Sequence, residues 1–334
     1  MHRLEIGVAD LAASRFATSP LYETIAAIRL LAEPGKSAVN APWVRWAQAR
    51  LAARPLPLTR VWELVINGLP TYPEFLIPAP AVRAPAFADE LARLRATSDD
   101  VVRTSLGRVF ADVPWPTSAV ELYERPAAAL AEIAGELAVF HDRLIAPHWE
   151  RIRPVLDADI AYRGGLLADG GARALFGSLH PDIRWSEGVL TLADHRDERV
   201  HEAVLGPDGV VLIPCVFAWP EPSVSMATST QTMLCYPARA AATVWYAGAG
   251  GLPGADGATA QLLGAARARL LAALRSPATT TALARAIGVT PSAVSQHVAV
   301  LYRVGLIDRA RSGRTVLYQA NDLGLAILDP PRRD

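Results

Sequence analysis

The sequence predicts an α+β protein: a mainly helical N-terminal region with an antiparallel sheet, followed by a small separate C-terminal domain. Apolar residues recur at helical spacing through residues 1–156. Residues 157–246 begin with one more helix and then become rich in Val, Leu, Thr and aromatic residues, which is typical of strands. Because 51% of the chain is hydrophobic and only 20% is charged, it can bury a large core. We expect residues 1–246 to form one domain.

The N-terminal helices carry start and stop signals. Ser19 precedes the segment PLYETIAAIRLLAEPG, which has a proline in its first turn and ends at a Pro-Gly pair. A second long helix is expected over residues 126–147, where a proline stops it. The helix expected over residues 157–176 contains Gly164 and Gly165, which mark the place for a break.

Five later segments have the composition of strands: GVLTLADHR, RVHEAVLG, GVVLIPCVFAW, TQTMLCYPARA and ATVWYAG. Turn signals such as GPDG separate them, so they predict an antiparallel sheet. Cys215 and Cys235 fall in two of these segments, at a spacing that fits no zinc or redox motif. We predict two buried thiols on neighbouring strands.

A glycine-rich linker is expected over residues 247–260, because AGAGGLPGADGATA has no periodic apolar pattern. The domain after it spans residues 261–330 and follows the order helix, helix, turn, helix, hairpin. LLGAARARLLAAL and TALARAIG form its first two helices, and Thr280 or a neighbouring threonine can cap the second. Gly288 permits the tight turn of a helix-turn-helix.

The third helix of this domain, PSAVSQHVAVLYRVG, begins after the capping residue Thr290 and ends at Gly305. Val294, Val298 and Leu301 repeat at helical spacing and should face the core. The other face carries small or hydrogen-bonding residues, namely Ser292, Ser295, Gln296, Ala299 and Arg303. Such a face suits the DNA major groove, where Gln, Ser and Arg can bond base edges, although an ordinary solvated face has the same composition.

The segment LIDRARSGRTVLYQAN predicts a two-stranded hairpin in which Arg311 and Arg314 flank a tight glycine turn. A hairpin of this kind can serve as a wing that touches phosphates or the minor groove. The sixty residues 261–320 hold eight arginines and one acid, Asp308, for a net charge of +7. Since the whole chain is neutral, the rest carries −7, and this asymmetry favours a nucleic-acid surface joined to another module.

The segment TTTALARAIGVTPSAVSQHVAVLYRVGLIDRARSGRTVLYQAN resembles the winged helix-turn-helix of the ArsR/SmtB-type transcriptional regulators. The similarity is strongest over the recognition helix and wing. His297 matches a histidine common at that place in the family, but it lies between the two faces, so DNA contact and helix packing both stay open. With Thr290 at the start of the helix, the candidate DNA contacts are Thr290, Ser292, Ser295, Gln296, His297 and Arg303 in the helix and Arg311 and Arg314 in the wing.

The N-terminal part resembles the large domain of unknown function found on some actinobacterial members of this group. The segments that carry this resemblance are LYETIAAIRLLAEPG, APWVRWAQARL, LIPCVFAWP and MLCYPARAAATVWY. Metal-sensing members have a cysteine pair near the DNA-reading helices, or Asp and His ligands on a C-terminal helix. Here TTTALARAIG has no cysteine and NDLGLAILDPPRRD has no histidine, so we expect no metal site of either kind.

Two further clusters of residues are candidate sites. His195 and His201 lie among the acids Asp194, Asp197 and Glu198 and could bind a metal or act as acid and base. No known site has this spacing, so a charged, solvated hairpin is favoured. The second cluster consists of aromatic residues that could line a pocket for a small organic effector or fill the core: Trp185, Trp219, Tyr236 and Trp245.

We therefore expect a sequence-specific DNA-binding regulator, a homodimeric repressor on an inverted-repeat operator in double-stranded DNA. Its N-terminal domain would sense a small effector or dimerise. An enzyme or an interaction protein with an accessory winged helix is the alternative. The start MHRLEIGVAD has no secretory signal pattern, which predicts a cytoplasmic protein without membrane contact. We predict no catalytic residue, no metal and no cofactor.

Overall fold

The computed structural model describes residues 1–69, 71–193, 201–205, 208–218, 221–226, 231–241, 243–246, 259, 262–275, 278–287, 290–312 and 315–328. The chain forms two compact units, Met1–Ala241 and Ala242–Asp334. The first unit contains both the helical region and the sheet region that the sequence predicts. Apart from Thr259, the predicted linker over 247–260 lies outside the described residues.

In the part of the first unit that the structure describes, eight helices lie between residues 8 and 140, as the apolar spacing predicts for most of this region. Two short strands, at His2–Glu5 and Arg15–Phe16, lie where the sequence predicted only helices. Ser19 caps α2, since its hydroxyl oxygen accepts a hydrogen bond from the Tyr22 N–H at 2.9 Å. Short 3₁₀ turns at Ala38–Asn40 and Glu74–Leu76 lie between the helices. The helices are α1 (Val8–Ala13), α2 (Pro20–Ala32), α3 (Ala41–Ala53), α4 (Thr59–Val65), α5 (Phe87–Arg95), α6 (Asp99–Val109), α7 (Thr117–Glu124) and α8 (Pro126–Phe140).

After α8 the chain passes through a π turn (His141–Ile145) and a 3₁₀ turn (Ala146–His148) before α9 (Trp149–Leu179). The proline at position 147 lies in the 3₁₀ turn, where its missing N–H is tolerated. The regular helix predicted up to this proline thus ends earlier, at Phe140, and the π turn occupies most of the interval.

The long helix α9 is interrupted at Gly171, whose φ of 65° is not helical. Arg163 donates a hydrogen bond from its guanidinium to the carbonyl oxygen of Ser178, 15 residues further along the chain. In a straight helix these residues would lie about 22 Å apart, so the segment after Gly171 folds back along the first one. The break predicted at Gly164 and Gly165 was wrong, because both glycines keep helical geometry.

The strands form two small mixed sheets, whereas the sequence predicted an antiparallel one. In the first sheet, of order β3-β4-β1-β5, β1 is antiparallel to β4 and parallel to β5. In the second, of order β2-β6-β8-β7, β6 is parallel to β2 and β8, and β7 is antiparallel to β8. The strands are β1 (His2–Glu5), β2 (Arg15–Phe16), β3 (Ile183–Ser186), β4 (Val189–Leu192), β5 (His201–Val204), β6 (Val211–Cys215), β7 (Ser223–Ser225) and β8 (Met233–Pro237).

Two strand predictions have clear outcomes. Cys215 and Cys235 are buried free thiols on the adjacent strands β6 and β8, as expected. The prediction of a strand over the segment ATVWYAG was wrong, because Thr243–Tyr246 forms a short helical turn, α10. Its β-branched and aromatic composition favours a strand only where a neighbouring edge is present to pair with it.

One apolar core joins the two sheets to the end of α9. Phe176 and Leu179, after the bend at Gly171, pack with Leu4 and Leu190 of the first sheet and with Leu212 of the second. The chain's first strand and the strands after residue 183 are thus held in the same core.

Buried carboxylates cap helix ends elsewhere in the first unit. Glu90 of α5 accepts from the Ser19 hydroxyl at 2.6 Å and from the Leu21 N–H at 2.8 Å, at the N-terminus of α2. The first N–H groups of a helix have no partner within it, and the helix dipole favours an anion there. The same arrangement joins Glu136 to the N–H groups of Arg60 and Val61 in α4 and Glu63 to Ser118 in α7.

Glu90 makes the stability of the first unit depend on pH. Burial raises the pKa of the Glu90 carboxyl from 4.5 to about 7, although its bonds to Ser19 and Leu21 act in the opposite direction. Between these values the folded protein keeps a proton that the unfolded chain releases, so stability falls as the pH rises. Between pH 5 and 7.5 we expect the free energy of unfolding to fall by about 2 kcal/mol more in the wild type than in Glu90→Gln.

Urea denaturation at several pH values measures this difference. The glutamine keeps the shape of Glu90 and can bond both partners, with its oxygen accepting from Leu21 and its amide donating to Ser19. Burial lowers the pKa of His141 and of His148, which changes stability with pH in the opposite sense but equally in both proteins. Parallel pH profiles of wild type and variant would contradict the prediction.

After the short turn α10, the second unit has the predicted order of three helices and a hairpin, followed by a short further helix. Its core consists of apolar residues from these later elements, among them Leu270, Leu283, Val298, Leu306 and Ile307. The elements are α11 (Ala265–Ala273), α12 (Thr280–Ile287), α13 (Pro291–Arg303), β9 (Ile307–Ser312), β10 (Thr315–Ala320) and α14 (Asp322–Leu328).

Candidate nucleic-acid interface

The recognition helix, α13, is built as its sequence predicts. The Thr290 hydroxyl oxygen accepts from the Ala293 N–H at 3.3 Å, and Pro291 occupies the first turn. Val294, Val298 and Leu301 are buried in the core of the unit, which confirms the predicted inner face. The preceding helix α12 is capped by Thr279, whose hydroxyl oxygen accepts from the Ala282 N–H at 3.0 Å. Gly288, the predicted turn glycine, lies outside the described residues.

The opposite face of the recognition helix is exposed along its whole length. The side chains of Ser292, Ser295, Gln296 and Arg303 are all exposed, together with the cap Thr290. Five of the predicted contact residues therefore lie on the helix surface that faces away from the core. The exposed groups are hydrogen-bond donors and acceptors of the kind that bond base edges and phosphates.

Two of the predicted contact residues on this helix are less available to DNA than the sequence indicated. The Ser295 hydroxyl donates to the Pro291 carbonyl oxygen at 2.9 Å, so its oxygen can accept from a base but its proton is already used. His297 is partly buried between the exposed and buried faces, as its position in the helix implied.

The turn from the recognition helix to the hairpin is a Schellman motif. The Gly305 N–H donates to the Tyr302 carbonyl at 3.1 Å, and the Leu306 N–H donates to the Leu301 carbonyl at 3.0 Å. Gly305 has a φ of 74°, which only glycine adopts without strain. The motif fixes the direction in which the chain leaves the helix and enters β9.

The wing consists of β9 and β10, which pair antiparallel from Ile307↔Ala320 to Ser312↔Thr315. The predicted contact Arg311 pairs in register with Val316 near the tip. Arg314 lies outside the described residues.

The base of the wing is fastened to the helices by backbone hydrogen bonds. Ala278 and Tyr318 exchange two N–H to carbonyl bonds of 2.9 Å, and the Ala320 N–H donates to the Leu274 carbonyl at 2.7 Å. The Asn321 side chain donates to the Gly305 carbonyl at 3.0 Å, next to the Schellman turn. Since β10 is held in this way and β9 follows the Schellman turn, the base of the wing has a fixed position beside the recognition helix.

An exposed aromatic residue and an arginine that sequence reasoning missed lie between the helix and the wing. The guanidinium carbon of Arg309, on β9, lies 4.8 Å from the ring centroid of Tyr302, which is 41% exposed at the end of the recognition helix. Helical period alone could have singled out Tyr302, because it follows Ser295 by two turns. The contact with Arg309 depends on how the wing packs.

Of the aromatic residues proposed to line an effector pocket, the two that the structure describes in the first unit share one apolar core, in which Trp185 packs against the cluster that contains Tyr236. Trp185 stacks on Phe176, with ring centroids 4.9 Å apart, and is partly buried against the core of the two sheets. Tyr236 is fully buried, and its hydroxyl donates to Asp159 at 2.9 Å. Trp245 belongs to the second unit, and Trp219 lies outside the described residues.

Of the cluster formed by His195, His201 and the neighbouring acids, the structure describes only His201. His201 opens β5, and its ring stacks on that of His2, in register on the neighbouring strand, with centroids 5.1 Å apart. Residues 194–200, which include His195 and the three acids, lie outside the described residues.

Comparison with known families agrees with this geometry. A helix-turn-helix domain model matches residues 263–310, and the model of a family of unknown function (DUF5937) matches residues 116–242. No curated protein and no solved structure matches the chain.

The helix-turn-helix match covers the three helices and most of β9, so it indicates a DNA-binding regulator of transcription rather than an enzyme. The second match begins just before α7 and ends at the boundary of the second unit. Among the described residues, no helix is long and apolar enough to cross a membrane.

Proposed function

We propose that the protein is a sequence-specific transcriptional regulator that binds operator DNA as a homodimer and represses by blocking RNA polymerase. The observation that carries the proposal is the exposed, hydrogen-bonding face of the recognition helix beside a rigidly attached, arginine-rich wing. In helix-turn-helix proteins the N-terminal residues of this helix contact base edges. Ser292, Ser295 and Gln296 stand at that end and supply the base-reading groups.

Charge supports DNA as the partner. The net +7 of residues 261–320 is concentrated in a short domain of an otherwise acidic chain. Each arginine that neutralises a phosphate releases a counterion, so affinity should depend steeply on salt. The wing contacts, Arg311 and Arg314, would bind the backbone and thereby fix the register of the helix in the groove.

The proposed dimer follows from the small number of base pairs that one recognition helix can contact. One recognition helix covers only a few base pairs, and two-fold symmetry doubles the site and makes the operator an inverted repeat. With α14 only seven residues long, the first unit would supply much of the dimer interface or bind the effector that changes the dimer. A small organic ligand can change DNA affinity only by binding the active and inactive arrangements unequally.

The test is fluorescence anisotropy of the full chain with a duplex from the region upstream of its own gene, at increasing salt. A shuffled duplex of the same composition is the control. We expect tighter binding to the natural sequence and a steep loss of affinity with salt for both. Equal affinities for both duplexes, or affinities that salt does not change, would contradict sequence-specific DNA binding and favour a winged helix that serves an enzyme or a protein partner.

Gln296→Ala is expected to relax base preference more than it lowers total affinity. An amide that bonds a base edge contributes roughly 1–3 kcal/mol to the discrimination between bases, whereas binding to random DNA depends on phosphate contacts. Competition with single-base variants of the bound duplex measures the discrimination. Ser295→Ala is the matched control on the next residue, and its loss should be smaller because the Ser295 proton is bonded within the helix. Equal losses on cognate and shuffled DNA for Gln296→Ala would refute base reading by this side chain.

A further inference from the structure

We infer that Arg309 is a phosphate-contacting residue and that Tyr302 is the residue that positions it, where the recognition helix leaves the major groove. Neither residue is among those predicted from the sequence to touch DNA, although Tyr302 continues the exposed face of the recognition helix. The inference rests on the proposed DNA-binding function and assigns a further contact within the same surface.

The position of Tyr302 along the helix places it beside the DNA backbone. Tyr302 lies seven residues after Ser295, which is two helical turns and about 10 Å along the axis on the same face. The major groove is about 12 Å wide. If Ser295 and Gln296 lie over base edges, a side chain 10 Å further along therefore reaches the phosphates that border the groove.

Arg309 reaches the same place from the wing. Side chains of a strand alternate between its faces, so Arg309 shares the face of Ile307, which is buried in the core of the unit. Its guanidinium carbon is 4.8 Å from the Tyr302 ring centroid, within the range of a cation–π contact. Asp308, the sole acid in residues 261–320, is the next residue on the strand and belongs to the opposite face. Arg309 itself is exposed, so its guanidinium is accessible to an anion.

The ring gives the arginine a fixed direction. A guanidinium that lies over an aromatic ring keeps the N–H groups at its edge available, and these groups match phosphate oxygens in a planar fork. Because the side chain is already ordered, less conformational freedom is lost when DNA binds. The pair supplies backbone affinity at the border between the groove read by the helix and the groove reached by the wing.

The experiment measures binding of the full chain to the upstream and the shuffled duplex over a range of salt. Arg309→Ala should weaken binding to both duplexes about tenfold at low salt and reduce the slope of log affinity against log salt by about 1. Tyr302→Ala should weaken binding about threefold and leave the slope unchanged, since the charge stays. Tyr302→Phe keeps the ring and should bind within about twofold of wild type.

Arg269→Ala is the control, because Arg269 is an exposed arginine on α11, outside the recognition helix and the wing. Thermal unfolding of each variant shows that it is folded. If the wild type binds with a steep salt slope and Arg309→Ala changes neither slope nor affinity, the inference fails and the proposed function stands. If Tyr302→Phe loses as much as Tyr302→Ala, the hydroxyl makes the contact and the positioning role is refuted. If the wild type binds neither duplex, the proposed function fails first, and the inference with it.

Discussion

Gly324→Ala is expected to destabilise the C-terminal unit by about 3 kcal/mol and to weaken DNA binding strongly. Gly324 lies in α14, and an added Cβ would overlap the Leu306 carbonyl oxygen and come within 3.2 Å of a Leu271 methyl. A backbone carbonyl cannot rotate away as a side chain can, so α14 or the Schellman turn must shift, and overpacking of this kind costs roughly 1–3 kcal/mol or more. Since Leu306 closes the Schellman turn and immediately precedes β9, the shift also moves the wing.

Thermal unfolding and DNA titration of the full chain check this result. The matched control is Gly135→Ala in α8, where the added Cβ would meet open space. In the interior of a helix that change should stabilise the protein by roughly 0.5–1 kcal/mol. A Gly324→Ala variant with wild-type stability and DNA affinity would show that α14 does not pack closely against Leu306 of the Schellman turn.

Asp159→Asn should have an effect of similar size on the first unit. We expect it to lower the free energy of unfolding by roughly 3–5 kcal/mol. The Asp159 side chain is completely buried, accepts from the Tyr236 hydroxyl and the Arg239 N–H, and lies 3.6 Å from the Arg163 guanidinium. Arg163 is buried as well, so removing the carboxylate charge leaves a buried cation without its counter-ion.

Asp157→Asn provides the comparison on the same helix. Asp157 pairs with Arg153 at 3.6 Å, but both side chains are largely exposed, and such pairs contribute about 0–1 kcal/mol. Denaturant unfolding of both variants separates the two cases. If the two substitutions lower the free energy of unfolding by the same amount, the buried Asp159–Arg163 pair does not contribute the stability that its geometry indicates.

The C-terminal unit could be predicted from sequence because local signals determine most of it. Helical period assigned Val294, Val298 and Leu301 to the core. The threonine before the helix and the proline in its first turn marked its start, and Gly305 marked its end. A three-helix unit with a hairpin also has few ways to bury these residues, so local signals and tertiary structure agree.

The sheets of the first unit could not be predicted in the same way. β1 and β2 are four and two residues long, too short for a periodic pattern, and His2 pairs with Leu192 and His201 far along the chain. Parallel pairing across such a distance leaves no turn signal in the sequence. The break in α9 shows the same limit, because the helix contains two similar glycine pairs, Gly164–Gly165 and Gly170–Gly171, and only Gly171 takes a positive φ.

The candidate site was predictable where one element determines it and hidden where two elements meet. The exposed face of the recognition helix follows from its period. The Tyr302–Arg309 contact depends on the packing of the wing against the helix end, and the bond from Ser295 to Pro291 depends on a rotamer. Trp185 and Tyr236 were grouped by residue type and do share one apolar core, but their individual contacts with Phe176 and Asp159 depend on the fold.

Genome-wide mapping of the DNA bound by the full chain, in the organism that carries its gene, tests the central claim most directly. We predict enriched sites upstream of genes that share an inverted repeat, with half-site centres one helical turn, about 10 base pairs, apart or a multiple of it. In the Gln296→Ala variant the motif should weaken at one base of each half-site. Bound fragments without a common motif, or no enrichment over a control without the protein, would contradict a sequence-specific regulator.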